Sequence, residues 1–250
     1  MPKTENKILT LKNDLVFKAV YGSDTEESKY LLKDLLNKIL GRTDNPIVDL
    51  TYKNPFNLRE YEDDKESIFD IKVEADLRYP DLDIYEDCVS KDEEDYRRKG
   101  IMDVEMQVVW HANMRPRLLS YHGSLLREAL RDTEDYDKMR QSIVICITND
   151  IAFKDTDQFL TRFYFMEENE HIVFSKRVCI ICIELPKVNP DKRPLDELTP
   201  LEICLEYLKY ADENDSEYVQ SLIRRGGKEL EMTEAKLKRT TEEERLREKA

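Results

Sequence analysis

Along LKNDLVFKAVYG (residues 11–22), Leu15, Val16, Ala19 and Val20 recur on one side at helical spacing, which predicts a short helix. A second helix follows. Ser23 stands three positions before Glu26, the spacing of a capping box. Leu31, Leu32, Leu35, Leu36, Ile39 and Leu40 then form one apolar stripe, and Gly41 supplies the stop. IVDLTY, ahead of Pro55, reads as a short strand and a turn. After it the period changes to two. In SIFDIKVEA (67–75), Phe69, Ile71, Val73 and Ala75 alternate with Ile68, Asp70, Lys72 and Glu74. In IMDVEMQVVW (101–110), Met102, Val104, Met106, Val108 and Trp110 alternate with Ile101, Asp103, Glu105, Gln107 and Val109. Successive strand side chains point to opposite faces, so both stretches predict half-buried strands.

Residues 115–132 predict a helix with Leu118, Tyr121, Leu125 and Ala129 on one side and Gly123 as a weakness. SIVICITN (142–149) is continuously apolar and predicts a fully buried strand; FLTRFYFME, HIVFSKR and VCIICIEL supply further strands. Thr199, Pro200 and Glu202 combine a cap, a proline at the first helical position and a capping box, starting a helix that runs to about Ala211. Gly226 and Gly227 break the next one. Residues 228–250 have helical propensity but almost no apolar face. They predict an exposed or fraying helix outside the core, suited to a partner.

Composition narrows the class. With 250 residues, 40% of them hydrophobic, the chain can bury the core of one large domain. Its net charge of -14 argues against a general electrostatic grip on nucleic acid, while leaving room for a local basic groove beside an acidic pocket. From Glu74 to Lys99 there are ten acids against five bases, which predicts a long solvated loop between the two alternating strands. No stretch approaches the ~18 apolar residues of a membrane helix, and MPKTENKILTLKND lacks an apolar signal core. A soluble, cytoplasmic protein without membrane contact is expected. Cys179 and Cys182 read as CxxC inside a strand pattern, where residues three apart face opposite ways, so they are expected as small core residues. His111, His122 and His171 lack the spacing of a metal site or a triad.

On an extended strand Glu105 and Gln107 emerge on the same side, ~6.5–7 Å apart. If the two strands pair, Asp70 and Glu105 converge at one edge of the sheet. Two carboxylates and the intervening carbonyls suit Mg²⁺, which could stabilise the charge that develops during phosphodiester attack. Gln107 could position a water or a phosphate oxygen, but it cannot be a cation. The same pattern also fits a solvated sheet face on which Lys72 pairs with Asp70 or Glu74. Arg115, Arg117, Arg127, Arg131, Lys138 and Arg140 make 112–149 a locally basic stretch, where DNA contact is expected.

KNDLVFKAVYGS, SIFDIKVEA, VEMQ, RLLSYHGSLL, DYDKMRQSIVICI and IELPK, in this order across about residues 11–212, resemble the PD-(D/E)XK nuclease family of transposases and recombination-promoting nucleases. The resemblance implies an α/β fold: a restriction-endonuclease-like mixed sheet flanked by helices. It implies DNA cleavage dependent on Mg²⁺, with Mn²⁺ as a possible substitute. Asp70 corresponds to the family's first acid and Glu105 to its second. Gln107 occupies the place of the wider superfamily's lysine, where this family commonly has glutamine. Asp14 is either a helix-borne acid near the metal or an N-terminal residue favourably placed at the helix dipole. Arg117 and Tyr121 match the family's RxxxY, with Arg117 near phosphate or near the acids and Arg115 a second DNA contact. Relatives usually join the aspartate to ExQ by a short hairpin, so 76–100 looks inserted.

The expected organisation is a nuclease-like domain over 1–212, with the acidic insertion at 76–100, and a charged helical extension over 213–250. The expected function is a Mg²⁺-dependent DNA endonuclease of mobile-element or recombination type. A homo-oligomer or a protein partner is expected through 76–100 or 228–250. The alternative is a catalytically weak or inactive nuclease-fold module with an interaction or regulatory role, which the acidic insertion, the absent lysine and the charged tail motivate.

Overall fold

A computed structural model describes residues 8–53, 70–77, 98–131 and 140–248. In chain order the elements are α1 (Asp14–Tyr21), α2 (Glu26–Leu40), β1 (Leu50–Tyr52), β2 (Ile71–Leu77), β3 (Arg98–Gln107), α3 (Met114–Arg131), β4 (Gln141–Thr148), β5 (Leu160–Met166), β6 (Val173–Glu184), α4 (Pro200–Tyr210), α5 (Glu217–Gly226) and α6 (Lys228–Glu248). The strands form one six-stranded sheet in the order β1-β2-β3-β4-β6-β5. β3, β4 and β6 run parallel, and β1, β2 and β5 pair antiparallel with their neighbours. It is the mixed, helix-flanked sheet of a restriction-endonuclease-like α/β fold.

Two apolar layers cover the sheet. Met102, Val104 and Met106 of β3 join Ile71, Val73 and Ala75 of β2 in the larger core, with α1, α2, α4, α5 and α6. Ile101 points the other way, into a smaller core with Val144, Cys146, Cys182 and the Met114, Leu118, Tyr121 and Leu125 stripe of α3. The alternation of period two along β3 therefore places Asp103, Glu105 and Gln107 on the face that α3 covers. Cys179 and Cys182 fall in opposite layers, as strand geometry requires.

Several local expectations change. Thr25, not Ser23, caps α2, accepting the Ser28 N–H, while the Ser23 hydroxyl donates to the Ala19 carbonyl. Gly41 ends α2 at φ 71°, a left-handed conformation that favours glycine. β3 stops at Gln107, three residues short of Trp110. HIVFSKR and VCIICIEL merge into the single strand β6. The acid-bearing face is not solvated, because Asp103 and Glu105 are 0% exposed.

The expectation that 228–250 stays out of the core also fails. Leu230 and Leu237 of α6 are core residues, and α6 packs on α1, α2 and α5. Between those leucines the buried stripe consists of Thr233, Glu234 and Lys236, followed by Thr240 and Thr241, so it carries almost no apolar signal. Thr233, Glu234, Lys236 and Thr241 each make a side-chain bond. Glu234 accepts the Tyr207 hydroxyl at 2.6 Å, Lys236 donates to Ser28, and Thr241 accepts the Leu9 N–H at 3.1 Å. Most of the acidic segment 76–100 lies outside the described residues, as do Cys88 and Lys138.

Candidate active site

Pairing of β2 with β3 sets Ile71 opposite Val104, which brings Asp70 opposite Glu105. The two residues clasp each other through the backbone. The Asp70 N–H donates to Glu105 Oε1 at 3.0 Å, and the Met106 N–H donates to Asp70 Oδ2 at 3.1 Å. Gln107 donates its side-chain amide to Glu105 Oε2 at 3.2 Å. From the first turn of α3, Arg117 reaches the same oxygen at 3.3 Å and donates its Nε–H to the Tyr121 oxygen. Asp70, Glu105, Gln107 and Arg117 thus meet at one end of the β2–β3 pair.

Two residues that the sequence reading did not single out belong here. Lys18 of α1 is buried, with its ammonium 2.8 Å from Asp70 Oδ1. Asp14, one turn earlier, makes no hydrogen bond or ion pair among the described residues, so Lys18 is the α1 side chain that touches Asp70. The second is Asp103, whose two buried oxygens have no hydrogen-bond partner. Burial, and then the charges of Glu105 and Asp70, push its carboxyl well above the usual range. Burial also raises Glu105, to about 7, with the Asp70 charge adding to it; the Asp70 N–H, Arg117 and Lys18 act the other way.

Lys72 pairs with Glu128 of α3, and Glu74 with Arg140 at 2.6 Å and with Lys53, so among the described residues Lys72 does not make the expected pair with Asp70 or Glu74. Arg115 leaves the acids alone and lies over the Phe153 ring, 5.1 Å from its centroid. His122 is buried on Ser142, 3.0 Å from its hydroxyl, away from the acids.

A divalent cation fits this donor set. Carboxylate oxygens are hard ligands, Asp70 and Glu105 meet at one buried spot, and both oxygens of Asp103 on the same strand lack a hydrogen-bond partner. Among the described residues no three such side chains converge as a complete ligand set. Asp70 and Glu105 would hold the cation together with backbone carbonyl oxygen and water, as Mg²⁺ commonly allows.

A mixed sheet carrying an acid pair where two strands meet defines a restriction-endonuclease-like protein. The chain belongs to the family described as PD-(D/E)XK nuclease family transposase, which it matches over residues 11–78 and 91–250. The match omits 79–90, within the segment read as an insertion. No curated protein and no solved structure matched the chain.

Proposed function

We propose that this protein is a Mg²⁺-dependent DNA endonuclease that hydrolyses phosphodiester bonds, with Asp70 and Glu105 as metal ligands and a role in mobile-element or recombination chemistry. The reciprocal bonds between the Asp70 and Glu105 carboxylates and each other's strand carry the reading, because they hold both acids at one spot before any cation arrives. When bound there, a divalent cation acts as a Lewis acid toward a phosphate oxygen and makes water a stronger acid.

The chain's own groups divide the remaining work. Glu105, raised by burial to about 7, would be held as the carboxylate by a bound cation. Lys18 balances Asp70 and supplies the ammonium that Gln107 cannot. Gln107 orients a water or a phosphate oxygen through its amide. Arg117, held by Tyr121 and partly exposed, offers its fork to phosphate. Among the described residues no helix is long and apolar enough to cross a membrane. Among the described residues the four cysteines are buried and free, which fits a reducing compartment such as the cytoplasm.

The test is cleavage of supercoiled, linear and single-stranded DNA with Mg²⁺ or Mn²⁺, beside a calorimetric metal titration. Asp70→Ala and Glu105→Ala should retain the fold, lose metal binding and lose cleavage by at least about 100-fold, since even outer-shell partners of a metal cost ~10–100-fold. Wild-type protein that binds no metal and cuts no DNA form would overturn the reading.

A further inference from the structure

The loops that leave β3 and β4 run side by side next to Gln107. The Asn149 N–H donates to the Gln107 carbonyl at 2.9 Å, and the Trp110 N–H donates to the Asp150 carboxylate at 3.1 Å. Trp110 and Phe153 of these loops, partly buried against the smaller core, meet Phe163 of β5 there. Trp110 and Phe153 have centroids 5.7 Å apart, and Phe153 and Phe163 are 5.0 Å apart. The guanidinium of Arg115 lies 5.1 Å from the Phe153 centroid. Arg115 is exposed and makes no ion pair or hydrogen bond among the described residues. In the same loops Val109 and Ile151 are 47% and 46% exposed, an apolar lip on an otherwise highly charged chain.

The loop that carries Phe153 is fastened from beneath by the IELPK stretch. Glu184 is fully buried, yet its carboxylate accepts the N–H groups of Ala152 and Phe153 at 2.6 and 3.1 Å. Lys187 pairs with it at 2.8 Å and donates to the carbonyls of Phe153 and Thr156. A buried carboxylate is costly unless fully engaged. Here its bonds fix the backbone on which the Phe153 ring stands.

We infer that Trp110, Phe153 and Arg115 form a stacking platform for an unpaired base of single-stranded DNA, next to the acid pair. This inference rests on the nuclease reading and names its substrate class. Ring faces accept any base, and a guanidinium adds a cation beside the strand's phosphates. In a chain of net charge -14, an exposed arginine over a ring, two residues before the Arg117 that bonds Glu105, is complementary to an anionic strand. A duplex hides its base faces, so the platform selects unpaired nucleotides.

Trp110 is the one tryptophan of the chain, so its fluorescence reports on the platform directly. The full-length protein, kept metal-free with chelator, is titrated with oligothymidine, an abasic oligonucleotide of equal length and a blunt duplex. Oligothymidine should quench Trp110 saturably, and the other two only weakly. Phe153→Leu keeps the apolar fill and loses the ring; Arg115→Ala removes an exposed cation with little risk to folding. Each should weaken oligothymidine binding about tenfold, the scale of one lost stacking partner. Equal quenching by the abasic strand would overturn the inference. So would the absence of quenching by any oligonucleotide. Quenching by oligothymidine without metal-supported cleavage would retain the platform and sink the nuclease reading; cleavage with a silent Trp110 would do the reverse.

Discussion

Lys18 bonds to Asp70 with both groups buried, and the Glu105 and Asp103 carboxyls crowd the same place. Taking one partner from a buried pair leaves the other charge without compensation, at a cost of about 3–5 kcal/mol. Lys18→Met should therefore lower stability by about that amount in metal-free urea denaturation. Adding Mg²⁺ should recover part of the loss, because a cation at the acids replaces the missing charge. In a double-mutant cycle with Asp70→Asn the two losses should be far from additive. An additive pair, or a loss that Mg²⁺ does not touch, would remove Lys18 from the site. Asp70, Glu105 and Gln107 were legible in the sequence, since strand alternation sets them on one face and only the pairing had to be supplied. Lys18 was not: between Phe17 and Ala19 it reads as an ordinary helix residue, and nothing local says that its ammonium meets a strand far along the chain.

At the scale of elements, α6 shows how a core helix hides. Its buried stripe uses the stems of Thr, Glu and Lys, which cover apolar surface while their polar ends find partners. A hydrophobic pattern cannot reveal that, because partners such as Ser28, Tyr207 and Leu9 lie far along the chain. Lys236 is the costly member. Burial lowers it to about 8 from an ordinary value of 10.5, with Glu27 acting in the opposite direction. Between those two values the unfolded chain binds more protons than the folded one, so the contribution of Lys236 to stability rises with pH across that window. Below about 8 the buried ammonium is a standing cost. Lys236→Met should raise the melting temperature at pH near 7, and the gap to wild type should narrow as pH approaches 10. A gap that is equal at both ends would show that something other than desolvation sets it. Strands, by contrast, were readable because their apolar content is dense. Their order across the sheet was not, since β4 and β6 pair past the intervening β5.

The molecule as a whole depends on that last helix. Leu230 and Leu237 are almost fully buried, and burying each is worth roughly 1.5–3 kcal/mol. Together they amount to a large share of the ~5–15 kcal/mol that holds a typical domain folded. A chain ending at residue 227 should accordingly lose cooperative melting and expose apolar surface, measured by circular dichroism and by dye binding. If it melts close to the full-length protein, α6 is an appendage and not a structural part.

The clasp between Asp70 and Glu105 has a consequence for how this chain can vary. A hairpin normally keeps its two strands aligned through the length and type of its turn. Here the Asp70 and Glu105 carboxylates add a second hold on the alignment, each one catching the opposite backbone. A slip of one residue would break both catches and turn Glu105 away from Asp70. The chemistry thus proofreads its own assembly, and the segment between the strands is free to lengthen or shorten without misaligning the acids, because loop closure grows only slowly more costly with length.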